Sequence, residues 1–296
     1  MELRQLRYLV ALADERHFTR AAARSHVAQP ALSQQLRKLE DELGLPLVDR
    51  TTRRVALTEA GELLVARARR VLAELDAAGA ELQQVSGLLA GRVTIGLTQT
   101  PGPLDLLPLL ADFHARFPAV ELAVREDLSA TLAAQLRADE LDVALLSTVA
   151  RGDLEGLGVR PLAHERLVAA LPPAHRLAGR RRIALADLRE ERFVAFTPGA
   201  TIREAVAAAA LAAGFAPRIA FETREVARTR AIVAAGLGVA VLPRSDAFAP
   251  GPQVAVAELV RPALTHRIAL AWREGRHHSP AARALLEQAR TTYARG

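Results

Sequence analysis

The chain has 296 residues, enough for two or three domains that each bury a core. Half of its residues are hydrophobic, which excludes a disordered chain, and no apolar run reaches the roughly 18 residues that a membrane-spanning helix needs. Cysteine is absent, which excludes disulfides and thiolate metal sites, and a net charge of +6 permits an acidic partner without demonstrating one.

The opening segment, MELRQLRYLVALADERHF, carries charges at both ends and within it. It lacks the apolar stretch and small-residue cleavage site of an export signal, so a cytoplasmic protein is expected. Residues 3–14 place Leu6, Leu9, Val10 and Ala13 on one helical face. RAAARSH follows as a short second helix with Thr19 as its expected N-cap, and Ala21, Ala22 and Ala23 let another helix cross closely.

In the third segment, HVAQPALSQQLRKLE at 26–40, the apolar face continues one turn further: Leu32, Leu36, Leu39 and Leu43 are spaced 4, 3 and 4. Pro30 suits the first turn, where its missing N–H would have no partner anyway. The opposite face carries Gln29, Ser33, Gln34 and Arg37. These short, amide-bearing or cationic side chains crowd turns whose exposed N–H groups and dipole favour an anion. Such a helix is equipped to enter a DNA major groove, although an ordinary solvated face would carry the same residues. LPLVDR (45–50) and RVALT (54–58) then read as a small hairpin with Arg53 and Arg54 near its tip. Three helices followed by a basic hairpin make a winged helix-turn-helix, whose Arg53 could reach a minor groove.

The run FTRAAARSHVAQPALSQQLRKLEDELGLPLVDRTTRRVALTEAG (18–61) resembles the N-terminal domain of LysR-type transcriptional regulators. The Ala-Ala pair, the Q-P-A-L-S-Q-Q-L-R-x-L-E-x-x-L-G run, L-V-D-R and the L-T-E-A-G ending fall in family order without a gap. The resemblance implies that Gln29, Pro30, Ser33, Gln34 and Arg53 contact DNA. Arg37 and Arg54 join them as candidates from their places on the helix face and in the hairpin.

From Thr58, an expected N-cap, the chain runs to about Leu89 without proline. Leu64, Ala68, Val71, Leu75, Ala78, Leu82, Val85 and Leu89 are spaced 4-3-4-3-4-3-4. That heptad calls for a partner helix, although a long amphipathic helix can also pack within its own chain. Dimerisation, with Leu64, Val71, Leu75, Leu82 and Leu89 at the seam, would give a DNA reader its second half-site. The resemblance likewise implies a linker helix that pairs between subunits, and a homotetramer built as a dimer of dimers.

RVTIGLT (92–98) opens a region in which apolar strands alternate with helices, arguing for a mostly parallel sheet covered by helices. LVAALP (167–172) starts a second set, and HRIALAWRE (266–274) leads back to a last helix. Two α/β halves joined in this way form a cleft, with ligands at the C-terminal ends of strands. LPLLADFHARFPAVEL, the L-D-V-A-L-L run and AAGLGVAVLP resemble the effector domain of the same regulators, which has the fold of type II periplasmic binding proteins. The resemblance places effector contacts at Thr100, at Ser147 or Thr148, and at Thr201.

TPGATIR (197–203) is a helix start of the kind that binds anions, and Arg203 could supply a charge, which points to a carboxylate. A threonine cap with a solvated arginine is the alternative. Ser129 and Thr223, at strand–helix junctions, are either ligand contacts or caps. The expected organisation is a winged helix-turn-helix at 1–58, a linker helix at 59–90 and a two-lobed effector domain at 91–296. Lobe I takes about 91–162 and 267–296, lobe II about 163–266.

Signs of catalysis are weak. Gly236-Leu-Gly238 follows a helix and precedes a strand, the reverse of a dinucleotide motif, so it reads as a helix stop. His277 and His278 are adjacent and lack metal-ligand spacing, and Asp139, Glu140 and Asp142 surround a helix end. No catalytic residue, metal or cofactor is expected. The reading is a DNA-binding regulator controlled by a small-molecule effector, with no membrane partner and RNA polymerase as a further candidate partner. An enzyme of the two-lobed fold carrying an accessory DNA-binding domain is the runner-up.

Overall fold

Three short helices and a hairpin begin the chain in a computed structural model that describes residues 1–49, 55–85, 89–148 and 154–293. They are α1 (Leu3–Glu15), α2 (Phe18–Arg24), α3 (Gln29–Leu43), and the antiparallel strands β1 (Val48–Asp49) and β2 (Ala56–Leu57). Together with α4 (Glu59–Val85) they form most of the first of two compact units.

Leu9, Leu12, Leu32, Leu36, Leu39 and Leu47 fill the centre of this unit and are almost wholly buried. Each contributes about 2 kcal/mol by leaving water. Ala21 and Ala22 are buried as well, so α2 crosses its neighbours closely. α2 begins two residues earlier than expected. His17 is the cap, its Nδ1 accepting from the Thr19 N–H at 3.2 Å, so Thr19 is a helical residue. α3 ends at Gly44, whose φ of 68° is a left-handed stop, and this leaves Leu43 exposed instead of completing the leucine face. Glu40 Oε1 accepts from the N–H groups of Leu47 and Val48 at 2.9 and 3.1 Å, which fixes the entry to the hairpin. The hairpin tip, with Arg53 and Arg54, lies outside the described residues.

α4 is capped as expected, Thr58 Oγ1 accepting from the Gly61 N–H at 3.0 Å. A Cβ on Gly61 would run into the carbonyl of Leu47, so this position requires glycine. Along the heptad, Ala68 is buried and Leu64 half-buried, but Val71, Leu75 and Leu82 are 47%, 42% and 75% exposed. Leu89, expected as the last heptad position, is a correction: the helix ends at Val85 and Leu89 stands just before the next strand.

The second unit opens with β3 (Gly91–Thr98), α5 (Leu107–Arg116), β4 (Val120–Asp127), α6 (Ser129–Arg137) and β5 (Val143–Thr148). β6 (Leu157–Leu171) and β7 (Arg182–Ala184) follow, then β8 (Arg192–Phe196), α7 (Thr201–Ala212), β9 (Arg218–Thr223) and α8 (Val226–Ala234). β10 (Ala240–Pro243), α9 (Arg244–Ala247), β11 (Ala255–Arg261), β12 (Thr265–Arg273) and α10 (Pro280–Thr292) complete it. The main sheet runs β4-β3-β5-β12-β6-β11-β7, with β10 also on β6, and β8 and β9 form a separate parallel pair.

This sheet is less parallel than expected. β3–β5 and β7–β11 are parallel, but β5–β12, β12–β6, β6–β10 and β6–β11 are antiparallel. The cause is that the chain passes from one lobe to the other on β6 and returns on β12. β6 serves both lobes: residues 157–166 pair with β12, while 167–171 pair with β10 and β11. Only its second, apolar half was readable as a strand. Pro161, at a break in the β12 register, interrupts the first. Lobe II packs around Val168, Leu185, Phe193, Ala210, Val233 and Leu242, lobe I in part around Leu132, Leu136 and Leu146.

Candidate functional site

The first candidate surface is the exposed side of α3. Leu32, Leu36 and Leu39 point into the core, and their opposites stay at the surface. Pro30, Gln34 and Arg37 are exposed, while Gln29 and Ser33 are half-buried. Ala28 is the N-cap, no side chain caps this end, and the first turn holds no carboxylate. The terminal N–H groups and the positive end of the helix therefore face outward. Among the described residues Arg37 and Lys38 have no ion pair, whereas Arg20 and Arg24 of α2 are held by Glu15 and Asp14 at 3.4 and 2.8 Å. The free cations thus lie on α3, not α2.

The second site is the cleft between the lobes. Thr98, Gln99 and Thr100 at the end of β3, Leu128 and Ser129 at the start of α6, and Ser147 of β5 form one wall. Phe196, Ala200, Thr201 and Ile202 form the other. Ser129 Oγ donates to Thr98 Oγ1 at 3.2 Å and accepts from the Ser147 N–H at 2.9 Å. Thr201 Oγ1 donates across the cleft to the Ser147 carbonyl at 3.3 Å. Thr100 is buried, and among the described residues its hydroxyl has no partner. No side chain caps α7, so its first N–H groups are open to the same space. The free volume is about 10 Å³, room for a molecule of about water size.

Three of the sequence candidates are not brought to this cleft. Thr148 lies one residue past Ser147, and strand alternation turns it to the other face, opposite Arg267. The Thr223 hydroxyl accepts from the Glu225 N–H at 3.1 Å and serves the start of α8. Arg203 points away: its Nη1 donates to the Phe196 carbonyl at 2.9 Å and to Glu222 at 2.6 Å, and its side chain lines a cavity inside lobe II. The arginine that suggested a carboxylate in the cleft is thus absent from it.

A buried polar group behind the cleft went unread in the sequence. Ser147 Oγ lies 2.8 Å from Nε2 of His266, a residue of β12 that is 1% exposed. His266 Nδ1 is 4.0 Å from Glu165 of β6, which also accepts from the N–H and hydroxyl of Ser245 at 2.7 and 2.8 Å. Burial pushes the Glu165 carboxyl up, but its interactions with His266 and Ser245 outweigh this and hold it below the usual range. Next to it, burial and then the charge of Glu165 raise Asp246 to about 6, against the pull of Arg230. Serine, histidine and glutamate thus stand in the order of a hydrolytic triad. The imidazole is too far from the carboxylate to be oriented by it, so the group does not work as one. Ser147, His266 and Glu165 come from three strands far apart in the chain, and nothing local in the sequence signalled that they meet.

A family model for the LysR substrate binding domain matches residues 86–294, and one for the lysR family of bacterial regulatory helix-turn-helix proteins matches residues 3–62. A hydrogen peroxide-inducible genes activator of Pectobacterium carotovorum is 39% identical over 82% of this chain and 80% of its own. The DNA-binding transcriptional dual regulator OxyR of Escherichia coli is 36% identical over 93% of this chain and 90% of its own. Among solved structures, a full-length OxyR from Pseudomonas aeruginosa with a cysteine-to-aspartate change superposes with a TM-score of 0.72 at 31% identity, covering 98% of this chain and 95% of that one. CbnR complexed with its target DNA superposes at 0.66 and 26% identity, covering 99% and 100%.

Proposed function

Because this chain belongs to the LysR-type transcriptional regulators, we propose that its α3 reads operator DNA under the control of a small polar molecule held in the interlobe cleft. Gln29, Ser33 and Gln34 read base edges, Pro30 starts the helix against the backbone, and Arg37 neutralises phosphate. Arg53 and Arg54 reach DNA from the hairpin tip. Two copies pair along α4 through Leu64, Val71, Leu75 and Leu82, which sets their α3 helices about 34–36 Å apart. Two such dimers make a tetramer that works in the cytoplasm, with RNA polymerase as a further partner.

One observation carries the effector reading. The unpartnered Thr100 hydroxyl and the uncapped start of α7 meet in a polar space. With Arg203 elsewhere, hydroxyls and N–H groups do the binding, and the free volume selects a ligand near the size of water or requires the lobes to part. The likeness to peroxide-inducible activators makes hydrogen peroxide the first molecule to try. A structure of a Corynebacterium glutamicum OxyR with its cysteine changed to serine is described as H2O2-bound. This chain has no cysteine, so peroxide here would be bound, not reduced by a thiol.

Recovering the source organism's DNA fragments that the chain retains, with and without hydrogen peroxide or small carboxylates, tests the reading. A shared pattern of two half-sites, with occupancy that changes with one of these molecules, is expected. Retention of random fragments alone would sink it. Thr100→Val with Thr201→Val then removes both hydroxyls at nearly constant volume and abolishes the response to that molecule. A variant that still responds moves the ligand out of the cleft.

A further inference from the structure

We propose that lobe II carries a second ligand site, a cavity beneath α7 that takes a compact apolar monocarboxylate. The cavity is present whatever ligand the interlobe cleft takes. Its volume is about 210 Å³, and its apolar walls include Phe193, Phe196, Ile202, Val206 and Ile219. An engineered cavity of about 150 Å³ with similar walls takes up benzene. One aromatic ring with a substituent therefore fits.

Arg203 stands at the rim and selects the substituent. The Phe196 carbonyl and Glu222 hold its Nη1, and the side chain is 21% exposed. Among the described residues its Nη2 and Nε have no partner. A guanidinium anchored at one edge and free at the other is preorganised for an acid group beside an apolar volume. Entry needs no unfolding, because Ala207 and Ile219 at the cavity's edge are exposed and Pro217 is half-buried.

Phe196 and Ile202 line this cavity and the cleft alike. The two sites therefore share a wall, and α7 carries Thr201 on one side of it and Arg203 on the other. A molecule beneath α7 presses on the side chains that bound the cleft, and the influence runs equally in both directions.

Calorimetric titration of the full chain with benzoate and with benzyl alcohol tests the site. Both should bind, benzoate the tighter. Ala207→Leu sits at an exposed helical position and fills the cavity from its edge, so it should weaken both by about tenfold or more. Arg203→Gln should weaken benzoate by about tenfold and benzyl alcohol far less. Thermal melting by circular dichroism certifies that each variant folds, and the two substitutions are independent routes to the same answer. Absence of benzoate binding, or undiminished binding by both folded variants, overturns the proposal. Filling the cleft with Ser129→Leu separates the sites: a loss of benzoate affinity there, with Ala207→Leu unaffected, puts the acid in the cleft and also overturns it.

Discussion

α3 and α7 begin in the same way and face different worlds. Each has an alanine N-cap, Ala28 with φ −70° and ψ 141° and Ala200 with φ −69° and ψ 128°, and neither end has a side-chain cap. Both leave the N–H groups of a first turn available to an acceptor. Around α3 the neighbours are exposed: Pro30, Gln34 and Arg37 stand on an open surface that a macromolecule can approach. Around α7 they close in, with Ser129, Ser147 and Thr100 leaving little more than the volume of a water molecule. On the proposed function, the same backbone device serves an operator in one place and a small molecule in the other. The surroundings, not the helix end, choose the partner.

The largest expected effect separates the two helices. If α3 works only as one of a pair while α7 works within a single chain, Leu75→Asp with Leu82→Asp should abolish operator binding and leave the cleft's ligand affinity intact. Charges at the α4 seam cannot be offset there, and sedimentation should report a lower mass. An unaltered mass would show that assembly rests on other surfaces. A smaller effect tests base reading. Gln34→Ala should cost about 1–3 kcal/mol at the preferred site and little on random DNA. Equal losses on both would reduce α3 to an electrostatic contact, no more selective than any other basic surface.

The smallest effect belongs to the effector unit alone. Asp246 has a folded pKa of about 6 against an ordinary 3.8, and among the described residues its buried Oδ2 has no hydrogen-bond partner. With the folded value raised, the protonated group favours folding fully below the unfolded value. That advantage is lost as pH climbs through about 6. Asp246→Asn should therefore stabilise the effector unit by about 1–2 kcal/mol at pH 7, with the gain fading below pH 4. Chemical denaturation followed at both pH values checks this. A gain independent of pH would take the charge of Asp246 out of the account.

What the sequence could convey depended on whether a residue's role is set locally. The burial of Leu32, Leu36 and Leu39 and the cap at Thr58 follow from spacing and from one hydrogen bond within a turn, and both were legible. Choosing between Ser147 and Thr148 needs the strand's register against β12, which no local pattern carries. Thr201 and Thr223 look alike in sequence, a hydroxyl at a strand–helix junction. Only the fold makes one line the cleft and the other satisfy the Glu225 N–H. Arg203 misled for a related reason, since a step of two residues from Thr201, about 200° around the helix, puts a charge on the opposite side of α7. The first half of β6 was hidden by Arg160, Pro161, His164 and Glu165, whose polarity suits a strand shared between two lobes but looks like a loop.

That shared strand also restricts how the lobes can move. The β6–β12 ladder ends with Arg166 opposite Thr265, and the β6–β10 ladder begins at the next residue, with Leu167 opposite Pro243. No slack separates the two sets of bonds. Sliding one lobe past the other by a residue would break a ladder and turn each side chain of the strand to the wrong face. Whatever a ligand does to this domain must therefore be done by torsion where the chain crosses between the lobes, at residues 166–167 and again between Arg261 and Thr265, and the signal it sends is an angle, not a displacement.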